Sequence, residues 1–173
     1  MSVFKKLFQQ TFIYGLATVL PRALGIVLVP LYTSQLTTSS FGIYATLMSY
    51  LILGNVLLSY GMETAFFRFI NKHTSKKEIV QSTALTSLTV STLLFTAGLL
   101  WIREPLSNLM GFKGSYVLYA IGILALDALA ILPFAWLRAN ERPMRYAVIK
   151  IFSVSVNLGL NLFFFLILPK LAL

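Results

Sequence analysis

Five stretches of about 20 apolar residues dominate the sequence, and they restrict it to folds that keep each stretch out of water. The stretches are Thr11–Tyr32, Phe41–Met62, Ile79–Trp101, Tyr116–Leu137 and Tyr146–Leu168. Each is long enough to cross a bilayer as an α-helix, which satisfies its own backbone hydrogen bonds. The connection Ile102–Ser115 holds one proline and two glycines, which indicates a turn-rich loop. We therefore predict an all-α integral membrane helical bundle of about five transmembrane helices, in a single transmembrane domain over residues 1–173.

The composition favours the same class of protein. The chain is 58% hydrophobic and 11% charged, whereas soluble domains carry about 25% charged residues. The sequence has no cysteine, which excludes disulfides, thiolate catalysis and cysteine metal sites. Lys5 and Lys6 precede the first stretch in the manner of a signal peptide. The stretch continues to Tyr32 without a convincing cleavage site, so we expect a retained first helix.

The distribution of basic residues predicts a cytoplasmic N-terminus. In this orientation ten Lys and Arg residues are cytoplasmic, three are outside, and Arg22 lies within a stretch. The ten are Lys5, Lys6, Arg68, Lys72, Lys76, Lys77, Arg138, Arg142, Arg145 and Lys150, and the three are Arg103, Lys113 and Lys170. This asymmetry follows the positive-inside rule. It accounts for the net charge of +9 without a nucleic-acid partner.

Arg22 is the leading candidate for a functional residue. It lies eleven residues after Thr11, about 16 Å along a helix and so near the middle of the bilayer. A charge at this depth costs roughly 3 kcal/mol, so it normally faces a watery cavity, a partner charge or a ligand. We favour an anionic ligand head group, and the alternative is a structural salt bridge. Pro21 and Pro30 predict that the first helix is bent.

Asp127 is the candidate partner of Arg22. It lies eleven residues after Tyr116, at a depth similar to that of Arg22. Asp127 either pairs with Arg22 or serves as a cation or proton site that couples transport. Both interpretations stay open.

The fifth stretch carries a polar stripe. Lys150, Ser153, Asn157 and Asn161 recur at spacings of three, four and four residues, which places them on one helix face. We expect this face to line a cavity. The alternative is that the amides join neighbouring helices by hydrogen bonds.

The second stretch gives secondary candidates. Asn55, Ser59 and Glu63 recur at four-residue steps, and Glu63 lies at the cytoplasmic edge near Arg68. A local ion pair between Glu63 and Arg68 is slightly preferred to a functional role for either residue. The segment Phe66–Glu78 predicts either a short amphipathic helix at the membrane surface or a solvated basic loop.

Motifs of soluble enzymes do not occur in the sequence. It has no glycine-rich phosphate loop, no metal-binding cluster and no nucleophile elbow. We therefore predict a protein that is not an enzyme and that uses no cofactor or metal.

Four segments carry a resemblance to a known family. They are LPRALGIVLVPLYTSQLTTSSFGIYATLMSY (Leu20–Tyr50), GMETAFFRF (Gly61–Phe69), ALDALAILPFAWLRANERP (Ala125–Pro143) and KIFSVSVNLGLNLFF (Lys150–Phe164). In this order and spacing they resemble bacterial polysaccharide-biosynthesis membrane proteins. These are the oligosaccharide-lipid flippases of the multidrug/oligosaccharidyl-lipid/polysaccharide exporter superfamily.

The resemblance implies a transporter of 12 to 14 helices, built as two bundles around a cavity in the bacterial inner membrane. It would flip undecaprenyl-pyrophosphate-linked oligosaccharide by alternating access, among membrane lipids. Arg22 matches the first-span arginine of this pattern and would attract the pyrophosphate, while Lys150 and Arg68 match more weakly. The chain covers most of the first bundle, so we expect it to be a fragment that works with a missing C-terminal half.

Two other functions remain as alternatives. The first is a cation-coupled multidrug exporter of the same superfamily, which would favour carboxylates in its cavity, whereas this sequence offers more cations there. The second is an inactive membrane remnant or scaffold that transports nothing.

Overall fold

The computed structural model describes residues 3–72 and 77–167, and this part of the chain forms helices joined by short turns. The α-helices in chain order are α1 (Val3–Gln35), α2 (Thr38–Ser59), α3 (Met62–Lys72), α4 (Lys77–Trp101), α5 (Arg103–Met110), α6 (Gly114–Ala139) and α7 (Pro143–Leu162). A π-helical turn, Phe163–Ile167, continues α7. Lys76, Lys170 and part of the predicted amphipathic segment (residues 73–76) lie outside the described residues, as does Leu168.

Five helical segments of the described chain are long and apolar enough to cross a membrane. They are Phe8–Gln35, Thr38–Lys72, Lys77–Trp101, Gly114–Ala139 and Pro143–Ile167. The predicted fold class, an all-α membrane bundle with about five transmembrane helices, is therefore confirmed. The helix α1 continues through Pro21 and Pro30 without interruption.

Glycines in the left-handed backbone region end two of the helices. Gly61, with φ 72°, follows Tyr60, with φ 30°, between α2 and α3. Gly111, with φ 68°, ends α5, and the amide of Phe112 then donates to the carbonyl of Ser107 at 3.1 Å. This bond closes the helix in the manner of a Schellman motif. The structure thus has a short helix within Ile102–Ser115, where the sequence predicts only a turn-rich loop.

The chain forms two compact units, of which the first comprises Met1–Phe41 and Asn140–Leu173. Here α1 packs against α7. Near their starts, the Tyr14 and Tyr146 rings meet edge to face with centroids 5.2 Å apart. Near their ends, the Tyr32 hydroxyl reaches Asn161. Because both contacts join residues in the same order along the two helices, α1 and α7 run parallel.

The second unit, Gly42–Ala139, has two apolar clusters. One joins α3, α4 and α6, and the other joins α2 to α6. The first contains Phe66, Ile70, Ala84, Leu88, Leu132 and Ala135, and the second contains Leu51, Leu58, Leu124 and Ala128. Gly54 lets α2 approach α6, since a Cβ atom at this position would lie 2.9 Å from the Leu124 methyl carbons.

Candidate functional site

The predicted site residues divide between the two units. Arg22, Lys150, Asn157 and Asn161 belong to the first unit, on α1 and α7. Asn55, Glu63, Arg68 and Asp127 belong to the second, on α2, α3 and α6. Direct pairing of Arg22 with Asp127 stays a prediction, because the two residues lie in different units.

Arg22 lies at the midpoint of its membrane segment. It follows Phe8 by 14 residues and precedes Gln35 by 13, which places it about 20 Å from either end at 1.5 Å per residue. Its side chain is exposed. A guanidinium group at this depth requires water, an anion or a carboxylate beside it.

The first unit offers no carboxylate at the depth of Arg22. Glu141 is the one acidic residue in the sequence of this unit. Its Oε2 atom accepts a hydrogen bond from the Gln10 side chain at 3.4 Å. Gln10 precedes Arg22 by 12 residues, which corresponds to about 18 Å along α1. Within the first unit, Glu141 is therefore too far away to neutralise Arg22.

Lys150 lies at nearly the same depth as Arg22. The contacts of Tyr14 with Tyr146 and of Tyr32 with Asn161 relate α1 to α7 by offsets of 132 and 129 residues. Subtracting these offsets from 150 places Lys150 level with positions 18 to 21 of α1, within about 6 Å of Arg22 along the axis. Lys150 follows Pro143 by seven residues, about 10 Å from the start of its own segment. The pair therefore carries a second cation close to the level of Arg22, on the side of its N-terminal ends, whereas the sequence counted Lys150 among the cytoplasmic residues.

The two asparagines of α7 form part of a hydrogen-bond network. The Tyr32 hydroxyl donates to Asn161 Oδ1 at 2.7 Å. Asn161 Nδ2 donates to the Asn157 carbonyl oxygen at 2.8 Å and to Asn157 Oδ1 at 3.1 Å. Asn161 thus joins α7 to α1, which is the role that the sequence left as an alternative to cavity lining. Asn157 is exposed and is the amide better placed to meet a ligand.

Asp127 lies at the midpoint of α6 and contacts α2. It follows Gly114 by 13 residues and precedes Ala139 by 12. Asn55 Nδ2 donates to Asp127 Oδ2 at 3.1 Å. Asp127 is exposed and Asn55 is half-buried. This bond holds one oxygen of a carboxylate in the apolar middle of the second unit, and the coupling role stays a prediction.

Glu63 pairs with Arg138, whereas the sequence favoured Arg68. Arg138 Nη2 donates to Glu63 Oε1 at 2.5 Å, and the Arg138 guanidinium carbon lies 5.5 Å from the centre of the Phe67 ring. Glu63 and Arg68 are five residues apart in α3, about 140° around the helix axis. They therefore point in different directions, and Arg68 is exposed.

Sequence reasoning missed two contacts made by tyrosines. Tyr32 and Tyr60 near helix ends fit the aromatic belts of membrane proteins, yet their hydroxyls bond to other helices. Tyr60 Oη lies 3.4 Å from Ser87 Oγ and 3.2 Å from Ser91 Oγ. The polar stripe containing Asn161 was the available signal for the first contact. Among the described residues, no three His, Cys, Asp or Glu side chains are close enough to hold a metal ion.

These features define a multi-pass α-helical membrane protein with Arg22 at the middle of one membrane segment and Lys150 close to the same level. The family model of polysaccharide biosynthesis proteins matches residues 7–173, and the chain belongs to this family. The predicted resemblance is thereby confirmed. No curated protein and no solved structure matches the chain.

Proposed function

We propose that the chain exports lipid-linked oligosaccharide across the bacterial inner membrane during polysaccharide biosynthesis. One observation carries this proposal: Arg22 lies at the middle of its membrane segment, Lys150 lies within about 6 Å of the same level, and the first unit has no carboxylate there. The positive charges of Arg22 and Lys150 near the middle of the membrane fit an anionic substrate. Membership of the polysaccharide biosynthesis family supports a lipid-linked sugar as this substrate.

The physical logic is charge compensation. A cation at the bilayer centre costs roughly 3 kcal/mol, and an undecaprenyl-pyrophosphate group carries negative charge that is equally costly to move through lipid. The guanidinium group of Arg22 would bind the pyrophosphate by charge-assisted hydrogen bonds, with Lys150 adding charge at the same depth. The exposed amide of Asn157 would contact sugar hydroxyls. Alternating access would then expose this site to each side of the membrane in turn.

Asp127 has a separate proposed role in the second unit. Its carboxylate, held by Asn55 at 3.1 Å, would take up a cation or a proton that couples transport. We also propose that the chain acts with a second helical bundle, the C-terminal half expected from the family resemblance. Glu63 receives no part in ligand binding, because it is paired with Arg138. Arg68 stays a secondary candidate.

A cation-coupled multidrug exporter is less well supported. A cationic substrate favours a carboxylate at the central level of its site, whereas the first unit presents Arg22 and Lys150 there. An inactive remnant or scaffold would need neither cation, so substitution of Arg22 distinguishes it from a flippase.

The test is Arg22→Ala in the complete natural gene, with surface polysaccharide measured by immunoblot. We expect at least a roughly tenfold loss at normal protein level, since a charge-assisted hydrogen bond contributes about 1.5–3 kcal/mol. Arg22→Lys should retain part of the activity, because it keeps the charge. Arg103→Ala is the matched control, since Arg103 pairs with Glu104 at 2.6 Å outside the proposed site. Full polysaccharide production by Arg22→Ala would refute the ligand role of Arg22.

A further inference from the structure

A groove of about 400 Å³ lies between α3 and α4. Its lining is mainly apolar and includes Met62, Phe66 and Phe69 from α3 and Ile79, Val80 and Thr83 from α4. Phe69 is 49% exposed and Ile79 is 61% exposed. Because both helices belong to segments long and apolar enough to span a membrane, the groove is suited to a hydrocarbon chain.

Two lysines flank one end of this groove. Lys72 follows Phe69 by three residues on α3, and Lys77 precedes Val80 by three residues on α4. A spacing of three residues places each lysine on the same helix face as its groove-lining neighbour. Only residues 73–76 separate α3 from α4, so both lysines lie at the end of the groove nearest that connection.

The charge at this end of the groove is positive. Lys72, Lys77 and Arg68 are exposed, and Glu78 is the one acidic side chain beside them on the first turn of α4. Glu78 lies about 100° around the axis from Lys77, so it does not occupy the same helix face. An apolar groove that ends at two lysines is complementary to an amphiphile with an anionic head.

We propose that this groove binds an anionic phospholipid of the surrounding bilayer, with an acyl chain along the groove and the phosphate at Lys72 and Lys77. Lysines near a membrane surface attract anionic lipid with about 1 kcal/mol each. The acyl chain supplies the remaining contact by filling space between Phe69 and Val80. This lipid site lies within the second unit and does not depend on the proposed flippase activity.

Native mass spectrometry of the purified full chain tests the proposal with phosphatidylglycerol and phosphatidylcholine of identical acyl chains. We expect the chain to retain phosphatidylglycerol in preference to phosphatidylcholine. The double variant Lys72→Gln/Lys77→Gln should weaken phosphatidylglycerol binding roughly thirtyfold, which corresponds to about 2 kcal/mol for two lysines. Thr83→Phe, which fills the groove, should weaken the binding of both lipids.

The matched control is Lys113→Gln, which removes an exposed cation of the same unit that does not line the groove. It should leave lipid binding unchanged. Equal retention of the two lipids by the unmodified chain would overturn the proposal, as would equal losses in Lys113→Gln and in the single variants Lys72→Gln and Lys77→Gln. The single variants Lys72→Gln and Lys77→Gln give the same comparison where the double variant does not purify as a single species. Loss of lipid preference with normal polysaccharide export would leave the proposed function standing.

Discussion

A single phenolic hydroxyl fixes how α1 meets α7 near their C-terminal ends. Tyr32 is 8% exposed, and its ring also contacts that of Phe165 with centroids 5.4 Å apart. The hydroxyl donates to Asn161, whose own amide donates to Asn157. A polar group in an apolar region is costly without a hydrogen-bond partner. Each of the three side chains in this hydrogen-bonded series therefore depends on the next.

Replacement of Tyr32 by phenylalanine measures this contact. We expect Tyr32→Phe to lower the free energy of unfolding by about 1 kcal/mol, because Asn161 Oδ1 loses its donor while the aromatic packing remains. The measurement is unfolding in mixed detergent micelles followed by tryptophan fluorescence. Tyr119→Phe is the control, since Tyr119 is 68% exposed and its hydroxyl bonds to none of the described residues. Equal effects of the two substitutions would contradict a stabilising role for the Tyr32 bond.

At the scale of single residues, the sequence identifies unusual side chains but not their partners. Arg22 and Asp127 are visible because each is a charge inside a long apolar stretch. The partner of Glu63 is not visible, because Arg138 is 75 residues away and many basic residues of the same sequence are equivalent candidates. Only the packing of α3 against α6 distinguishes Arg138 from Arg68.

At the scale of helices, the break between α2 and α3 determines where the polar residues of the second segment point. Tyr60 and Gly61 both have positive φ, so α2 ends there and α3 begins as a separate helix. In α3, Glu63 reaches Arg138, and Phe66 and Ile70 belong to the apolar cluster with α4 and α6. Amphipathic patterning alone predicted a helix or a loop at the membrane surface over Phe66–Glu78, and it could not locate this packing.

Replacement of Gly61 by alanine tests the break. We expect Gly61→Ala to lower the free energy of unfolding by about 1 kcal/mol, because an L-residue in the left-handed region is strained by about that amount. A Cβ atom at Gly61 meets nothing within 4 Å, so backbone strain is the only cost. Gly98→Ala is the matched control. Gly98 lies within α4 with equally open space, and alanine there should stabilise the helix by about 0.5–1 kcal/mol.

Both variants are compared by thermal unfolding in the same detergent. Opposite signs of the change in stability for Gly61→Ala and Gly98→Ala would establish that the backbone conformation of Gly61, and not the added volume, causes the loss of stability. A stabilising effect at both positions would show that α2 and α3 can form one continuous helix without loss.

At the scale of helices, the length of each apolar stretch was sufficient to locate the membrane segments. It did not locate the ends of the helices. The helix α1 extends from Val3 to Gln35, well beyond the predicted Thr11–Tyr32. The reason is that flanking polar residues such as Gln9 and Gln10 continue a helix without belonging in the hydrocarbon core. Similarly, α5 forms within a connection whose Pro105 lies in the first helical turn, where proline is tolerated.

At the scale of the whole molecule, basic residues gather at one end of each unit. In the first unit, α1 and α7 run parallel, so Lys5 and Arg145 lie at the same end. In the second unit, the contact of Glu63 with Arg138 places the N-terminal end of α3 beside the C-terminal end of α6, and Arg68 and Lys72 follow on α3. The positive-inside rule predicts that these ends are cytoplasmic.

Because the sequence has no cysteine, single introduced cysteines report this orientation without background labelling. We choose neutral, exposed positions so that the basic residues that set the topology are unchanged: Asn71 and Met144 near the basic ends, and Ser39 and Ser115 near the opposite ends. In intact cells with a permeabilised outer membrane, a membrane-impermeant maleimide should label Ser39→Cys and Ser115→Cys. Asn71→Cys and Met144→Cys should become labelled only after the inner membrane is broken.

The reverse labelling pattern would place the basic ends outside. A pyrophosphate carrier made in the cytoplasm would then approach Arg22 from the end of the helix pair that lacks basic residues. Labelling of all four positions in intact cells would indicate two orientations in the membrane, which the ten-to-three asymmetry of Lys and Arg disfavours.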